Sequence, residues 1–236
     1  PARGPGQDER ERLAVPGRAH LVVHRAHGAS ALFSDDDDRA QALRCLRDAM
    51  AGRRVALHAY ALLHDRVWLL LTPSAADELG RLLQSFGRSY TAILNRRHGG
   101  RGTVWAGRYR CTIVEPGPTL RDVLLFVDQS PVRAGLATAA GDWPWSSAIH
   151  HLGAGHDPLI THAAEYWALG NTPFERAAVY GSLAEERLPA IRATKIAEAA
   201  EKGWAVGSAA FLTQLGLETK RPLLPRPRGR PRITGE

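Results

Sequence analysis

The sequence predicts an α+β fold: a ferredoxin-like, RRM-like antiparallel sheet with helices on one face, then a C-terminal helical region and a basic tail. Three observations carry this. Strand-like and helix-like segments follow one another in the order β-α-β-β-α-β-α up to about residue 129. Two of the strand segments, "RVALHAYALL" and "RVWLLLTP", are separated only by a polar turn at His64 and Asp65, so they must pair antiparallel. Between residues 160 and 217 no convincing strand remains, and several helical stretches take over. The chain therefore divides into a flexible lead-in (1–17), a mixed domain (18–152), a helical region (153–217) and a disordered basic tail (218–236).

Each element has a local reason. "RAHLVVHR" (18–25) reads as a strand with Leu21 and Val23 on one face. "FSDDDDRAQALRCLRDAM" (33–50) reads as a helix start and its helix. Ser34 or Asp35 supplies the cap, the next aspartates sit at the positive end of the helix dipole, and Ala42, Leu43, Leu46 and Met50 form the apolar stripe. The capping role explains both position and charge of the aspartate run, whereas a metal site would explain only its charge. "ADELGRLLQSFGRSYTAILNRR" (76–97) is a long amphipathic helix with Leu79, Leu82, Leu83, Phe86, Tyr90 and Ile93 at spacings of three and four. It runs into the basic, glycine-rich "NRRHGGRG". "TVWAGRYRCTIVE" (103–115) is the last strand segment, and "TLRDVLLFVDQ" (119–129) a helix that "SPVRAGL" ends.

Composition narrows the function classes. Hydrophobic content of 44% and charged content of 23% belong to a globular chain with a real core. No apolar run approaches the roughly 20 residues that span a bilayer, and "PARGPGQDERERLAVPG" has no apolar leader core, so no membrane partner is expected. Cys45 and Cys111 are too few for a disulfide framework or a zinc ribbon, and they read as two thiols of a cytoplasmic protein. The net charge is +7, with arginine far outnumbering lysine. That balance favours polyanionic partners such as nucleic acid without conferring specificity.

Several phrases in order, "LHAYALLHDRVWLLLTP", "LGRLLQSFGRSYTAILNRRHGGRGTVWAGRYRCTIV", "SPVRAGL" and "DWPWSS", resemble the single-tyrosine HUH transposases, and within them the REP-associated tyrosine transposases. The resemblance runs from about residue 16 to 152, and the helical extension and "GRPR" ending resemble longer members. It implies an RRM-like domain that recognises DNA hairpins and adjoining single strands. It also implies a divalent metal such as Mg or Mn, held by two histidines on a strand, and a helix-borne tyrosine that attacks the scissile phosphate. A polar residue one helical turn after the tyrosine completes that metal shell.

In this sequence the family register puts Arg66 and Trp68 at the two histidine positions, Phe126 at the nucleophile and Ser130 at the polar metal-shell position. Phenylalanine has no oxygen to attack phosphorus, arginine repels a cation, and the tryptophan N–H only donates. No catalytic residue and no cofactor are therefore expected. Substitutes would have to come from His58, His64 and Asp65 for a metal, or Tyr90 and Tyr109 for a nucleophile. The hairpin turn should face His64 and Asp65 away from the old centre. Tyr90 and Tyr109 read as core or DNA-contact residues, and Trp105, Trp143 and Trp145 as packing residues.

What remains suits DNA. Arg96, Arg97, His98 and Arg101 make a basic loop, and Arg108 with Arg110 share one face of the following strand. Arg66 can hold a phosphate and Trp68 stack on an unpaired base, or the two can simply pack as a cation–π pair. In the tail, Lys220, Arg221, Arg226, Arg228, Arg230 and Arg232 crowd together. Arg228-Gly229-Arg230-Pro231 resembles the AT-hook, whose glycine lets the backbone follow the minor groove of A·T-rich DNA while arginines reach into it. The alternative is a generic basic tail. The expectation is a cytoplasmic, nucleoid-associated DNA-binding protein derived from a transposase and unable to cleave, as monomer or homodimer. An active transposase with relocated residues, or an interaction module without a DNA role, are the alternatives.

Overall fold

A computed structural model describes residues 14–28 and 31–219. Most of the lead-in and the tail from residue 220, including Arg228 and Arg230, lie outside the described residues. The elements follow the expected order: β1 (Ala19–Arg25), α1 (Asp36–Met50), β2 (Val55–Leu62), β3 (Arg66–Pro73), α2 (Glu78–His98), β4 (Arg110–Val114) and α3 (Pro118–Asp128). The four strands form one antiparallel sheet in the order β2-β3-β1-β4. Asp35 is the cap of α1, its Oδ1 accepting from the Asp38 N–H at 2.9 Å.

Alternation along the strands sorts the core into two layers. Val22 on β1 and Val67, Leu69 and Leu71 on β3 meet α1 and α2, where Leu46, Leu82, Leu83, Phe86 and Tyr90 are buried. Leu21 and Val23, with Trp68 and Leu70, face the other way. A bulge between Leu57 and Ala59 shifts the phase of β2. Val55 and Leu57 before it, and Tyr60 and Leu62 after it, therefore all reach the α1–α2 layer.

The sheet and its helices follow the expected fold class, and two details are added to it. The first concerns the helices. The pair α1 and α2 does occupy one face, but the other is covered too, by α3 and by helices of the C-terminal region. The helices after α3 are α4 (Ser130–Arg133), α5 (Ala148–His151), α6 (Ala164–Trp167), α7 (Pro173–Glu186), α8 (Ala190–Lys202) and α9 (Ala209–Thr219); α6, α7 and α8 supply the cover, while Phe211 and Leu215 of α9 pack on Ile113 in a separate cluster. Tyr166, Tyr180, Ala193 and Ile196 from α6, α7 and α8 share one apolar cluster with Leu21, Trp68 and Leu124. The physical reason is visible in "LVV" and "WLLL", where apolar residues run on without polar alternation, as strands buried on both faces require.

The second concerns the last strand, which spans only Arg110–Val114 of the expected 103–115. Upstream the chain turns inward at Trp105. Its indole stacks on His24 with centroids 3.9 Å apart and donates from Nε1 to the Gly87 carbonyl at 3.1 Å. Arg108 thus precedes the strand and shares no strand face with Arg110.

Both rims of the sheet are occupied by the chain itself. Along β2, Leu62 N donates to Trp145 O (2.9 Å), Ser147 N to Tyr60 O (3.0 Å) and Thr161 N to Leu57 O (2.7 Å). Along β4, Val206 N donates to Ile113 O (2.8 Å) and Glu115 N to Val206 O (2.9 Å).

Candidate functional site

Arg66 and Trp68 sit two apart on β3, so both point to the face covered by α3 and α8. Trp68 is buried, and its ring meets Phe126 of α3 edge-on, centroids 5.1 Å apart at 85°. The other neighbour of Phe126 is Arg133, whose guanidinium lies 4.1 Å from the ring centre and donates to the Phe126 carbonyl. Ser130 is buried, and its Oγ donates to the Val127 carbonyl at 2.7 Å. Of the positions named by the register, Trp68 and Phe126 meet directly. Phe126 and Trp68 form a packed aromatic contact, and Ser130 is spent on the backbone of its own helix.

Arg66 is committed elsewhere. Its Nε and Nη2 donate to the two oxygens of Asp65 at 2.9 and 2.6 Å, and Nη1 donates to Glu201 of α8 at 3.3 Å. Arg25, directly opposite Arg66 in the β1–β3 register, shares the same Glu201 carboxylate. The carboxylate of Asp65 holds the Arg66 guanidinium even more firmly charged than usual, and Arg66 draws the Asp65 pKa down. Two cations and two anions make a balanced quartet at the edge of the covered face. The helix α8 is further fixed by Thr112 Oγ1, which donates to the Ala199 carbonyl at 3.3 Å.

This donor set does not fit a divalent metal. Arg66 brings a positive charge, Trp68 has no lone pair to offer, and the Ser130 oxygen is turned to a backbone carbonyl. The nearby histidine that could have replaced them, His58, is also used. Its Nδ1 donates to Thr161 O (2.7 Å), Nε2 accepts from the Thr72 hydroxyl (2.8 Å), and burial lowers its pKa. His64 and Asp65 are exposed in the hairpin turn. Among the candidate phenols, Tyr90 is buried, donates to Leu32 O at 2.5 Å and has its pKa raised by burial. Tyr109 is buried as well, edge-on to His24.

Two members of the basic loop reach back to α1. Arg97, near the C-terminus of α2, reaches the N-terminus of α1 and donates to Asp35 at 2.6 and 2.8 Å, to Asp37 at 3.2 Å and to Asp38. His98 Nε2 lies 2.9 Å from the buried Asp38 carboxylate. The Arg97 bonds lower the Asp35 pKa to about 2. The aspartate run therefore caps α1 and neutralises part of the loop at once. Arg96, Arg101, Arg108 and Arg110 are exposed.

Sequence reasoning missed a buried polar centre behind α3. Asp128 is fully buried and accepts from Ser147 Oγ (2.5 Å), His151 Nδ1 (2.6 Å) and Tyr180 Oη (2.7 Å). Tyr166 Oη donates to the His151 carbonyl at 2.8 Å. One carboxylate thus ties α3, α5 and α7 together. The signal available was a lone aspartate at the end of the apolar run "VLLFVD". Its partners, 19 to 52 residues away, follow no local spacing.

These features define an α+β fold with a four-stranded antiparallel sheet covered by helices. Comparison with solved structures agrees at the level of the fold. The structure described as a REP-associated tyrosine transposase bound to a REP hairpin aligns over 67% of this chain and 93% of its own, at 15% identity and a TM-score of 0.54. A candidate transposase from Deinococcus radiodurans covers 57% of this chain and 99% of its own at 21% identity, with a TM-score of 0.34. No protein-family model matches the sequence, and no curated protein does either.

Proposed function

We propose that the chain is a transposase-derived DNA-binding protein that recognises hairpin, single-stranded or A·T-rich DNA without cutting it. One observation carries the reading. On a fold shared with a hairpin-bound tyrosine transposase, the positions that the resemblance assigns to nucleophile and metal carry Phe126 packed on Trp68, Arg66 paired to Asp65 and Glu201, and Ser130 bonded to its own helix. Without an oxygen nucleophile or a ligand set, phosphoryl transfer by that route has no chemical means.

Contact with DNA falls to the exposed cations Arg96, Arg101, Arg108 and Arg110, while the charge of Arg97 is offset by Asp35, Asp37 and Asp38 unless DNA displaces them. The tail arginines Arg228 and Arg230 add an AT-hook-like arm. Arg66 and Trp68 join a DNA interface only if α8 lifts, because Arg66 is paired to Glu201 and Trp68 is buried beneath it. A cytoplasmic, nucleoid-associated location and a homodimer bound to paired sites accord with this role.

The experiment is a gel shift with hairpin, single-stranded and A·T-rich duplex probes at 50 and 200 mM salt, run beside a nicking assay with Mg or Mn. Binding that weakens with salt and leaves every probe intact is expected. Metal-dependent nicking with a protein–DNA adduct, or no binding at 50 mM salt, refutes the proposal.

A further inference from the structure

Next to Phe126 the chain leaves a cavity of about 550 Å³, walled by α4, the turn at Ala140–Asp142, α7 and the start of α8. Leu152, Ala184, Leu188 and Ala193 supply an apolar wall. Its charged lining residues are Arg133, Arg187 and Glu185, a net charge of +1. The volume is that of a small-ligand site, and a mostly apolar wall with a few charged groups is the usual composition of one.

Two independent features mark the cations. Arg133 is exposed, and no carboxylate pairs with it among the described residues. Its guanidinium is held in place by the Phe126 ring and carbonyl, so the cation is fixed before any ligand arrives. Arg187 caps α7 with φ 60° and ψ 144°, and it is the one non-glycine residue with positive φ among the described residues. Glycine adopts that conformation freely, whereas an L side chain is strained in it. An arginine kept there places a charge at the cavity at the expense of backbone comfort.

We propose that this cavity binds a small organic monoanion, a carboxylate or sulfonate on an aromatic or aliphatic body, its anionic group drawn by Arg133 and Arg187 and its apolar body set against Leu152, Ala184 and Leu188. Glu185 discourages more highly charged anions. The site lies one residue's thickness from the old catalytic position, yet it uses none of the residues that position requires.

The test is a fluorescence titration of the full chain with 8-anilinonaphthalene-1-sulfonate and, in parallel, with uncharged N-phenyl-1-naphthylamine. One saturable site is expected for the sulfonate, with the neutral probe at least about tenfold weaker. Arg133→Gln and the cavity-filling Ala184→Phe should each weaken the sulfonate about tenfold or more. Arg187→Gly should weaken it severalfold while raising the melting temperature, because the strain is relieved. Equal affinity for the two probes, unsaturable binding, or affinity unchanged in Arg133→Gln and Arg187→Gly overturns the proposal. The probe comparison on the unaltered protein decides the matter even if Ala184→Phe fails to fold.

Discussion

Replacing Asp128 by alanine removes the carboxylate that accepts from three buried donors, Ser147 Oγ, His151 Nδ1 and Tyr180 Oη, of which Ser147 Oγ retains the Tyr60 carbonyl at 3.2 Å. Hydrogen bonds to a charged group each contribute about 1.5–3 kcal/mol, and a buried donor left without a partner costs about 1–3 kcal/mol. The three donors share one carboxylate and partly compensate one another, so the losses do not simply add. A net destabilisation of about 3–5 kcal/mol is expected. For a chain of this size that corresponds to a melting temperature lower by about 6–20 °C. Tyr180→Phe removes one donor and leaves the carboxylate satisfied by the other two, so it should cost only about 1 kcal/mol. Urea unfolding followed by tryptophan fluorescence measures both, and the double variant should show a coupling energy of about 1 kcal/mol or more. A loss below about 1 kcal/mol for Asp128→Ala, or strict additivity with Tyr180→Phe, refutes the claim that this carboxylate ties α3 to the C-terminal helices.

Three further outcomes follow from the same geometry. In Arg97→Ala, a carbon-detected NMR titration should find the Asp35 carboxyl returned from about 2 toward its ordinary 3.8, because the bonds from Arg97 are the largest cause of the depression. Burial of His20 lowers its pKa from 6.5 to about 4, so folding favours the neutral ring. Its stabilisation is complete above pH 6.5 and is lost as pH falls from 6.5 through 4, by about 3 kcal/mol in all. His20→Gln should flatten that part of the stability–pH curve, and an unchanged slope would count against it. In DNA binding, Arg96→Ala and Arg101→Ala should each reduce the salt dependence by about one unit of slope, whereas Arg66→Ala leaves it unaltered. A slope change for Arg66→Ala would show that α8 lifts and exposes it.

The parts of the fold that rest on local chemistry were legible in the sequence. The cap at Asp35, the hairpin turn at His64 and Asp65, and the apolar stripe of α2 are each set by neighbours within a few residues. The shared face of Arg66 and Trp68 was legible for the same reason, since the two lie two apart on one strand. What escaped depends on distant contacts. Nothing near Arg66 in the sequence announces Glu201, 135 residues away, and nothing near Trp105 says that its indole will end a strand early on Gly87. The cover on the second face was foreshadowed by unbroken apolar runs, but runs of that kind do not say which helices do the covering.

The rims of the sheet carry a consequence for assembly. With β2 hydrogen-bonded to residues 145, 147 and 161 and β4 to residue 206, the backbone donors and acceptors there are already matched within one chain. A second copy therefore cannot extend the sheet by zipping strand to strand, nor can a stray peptide lodge as a fifth strand, without first peeling those segments away. Among the described residues, pairing of two copies through side chains on helical surfaces would leave these rim bonds in place.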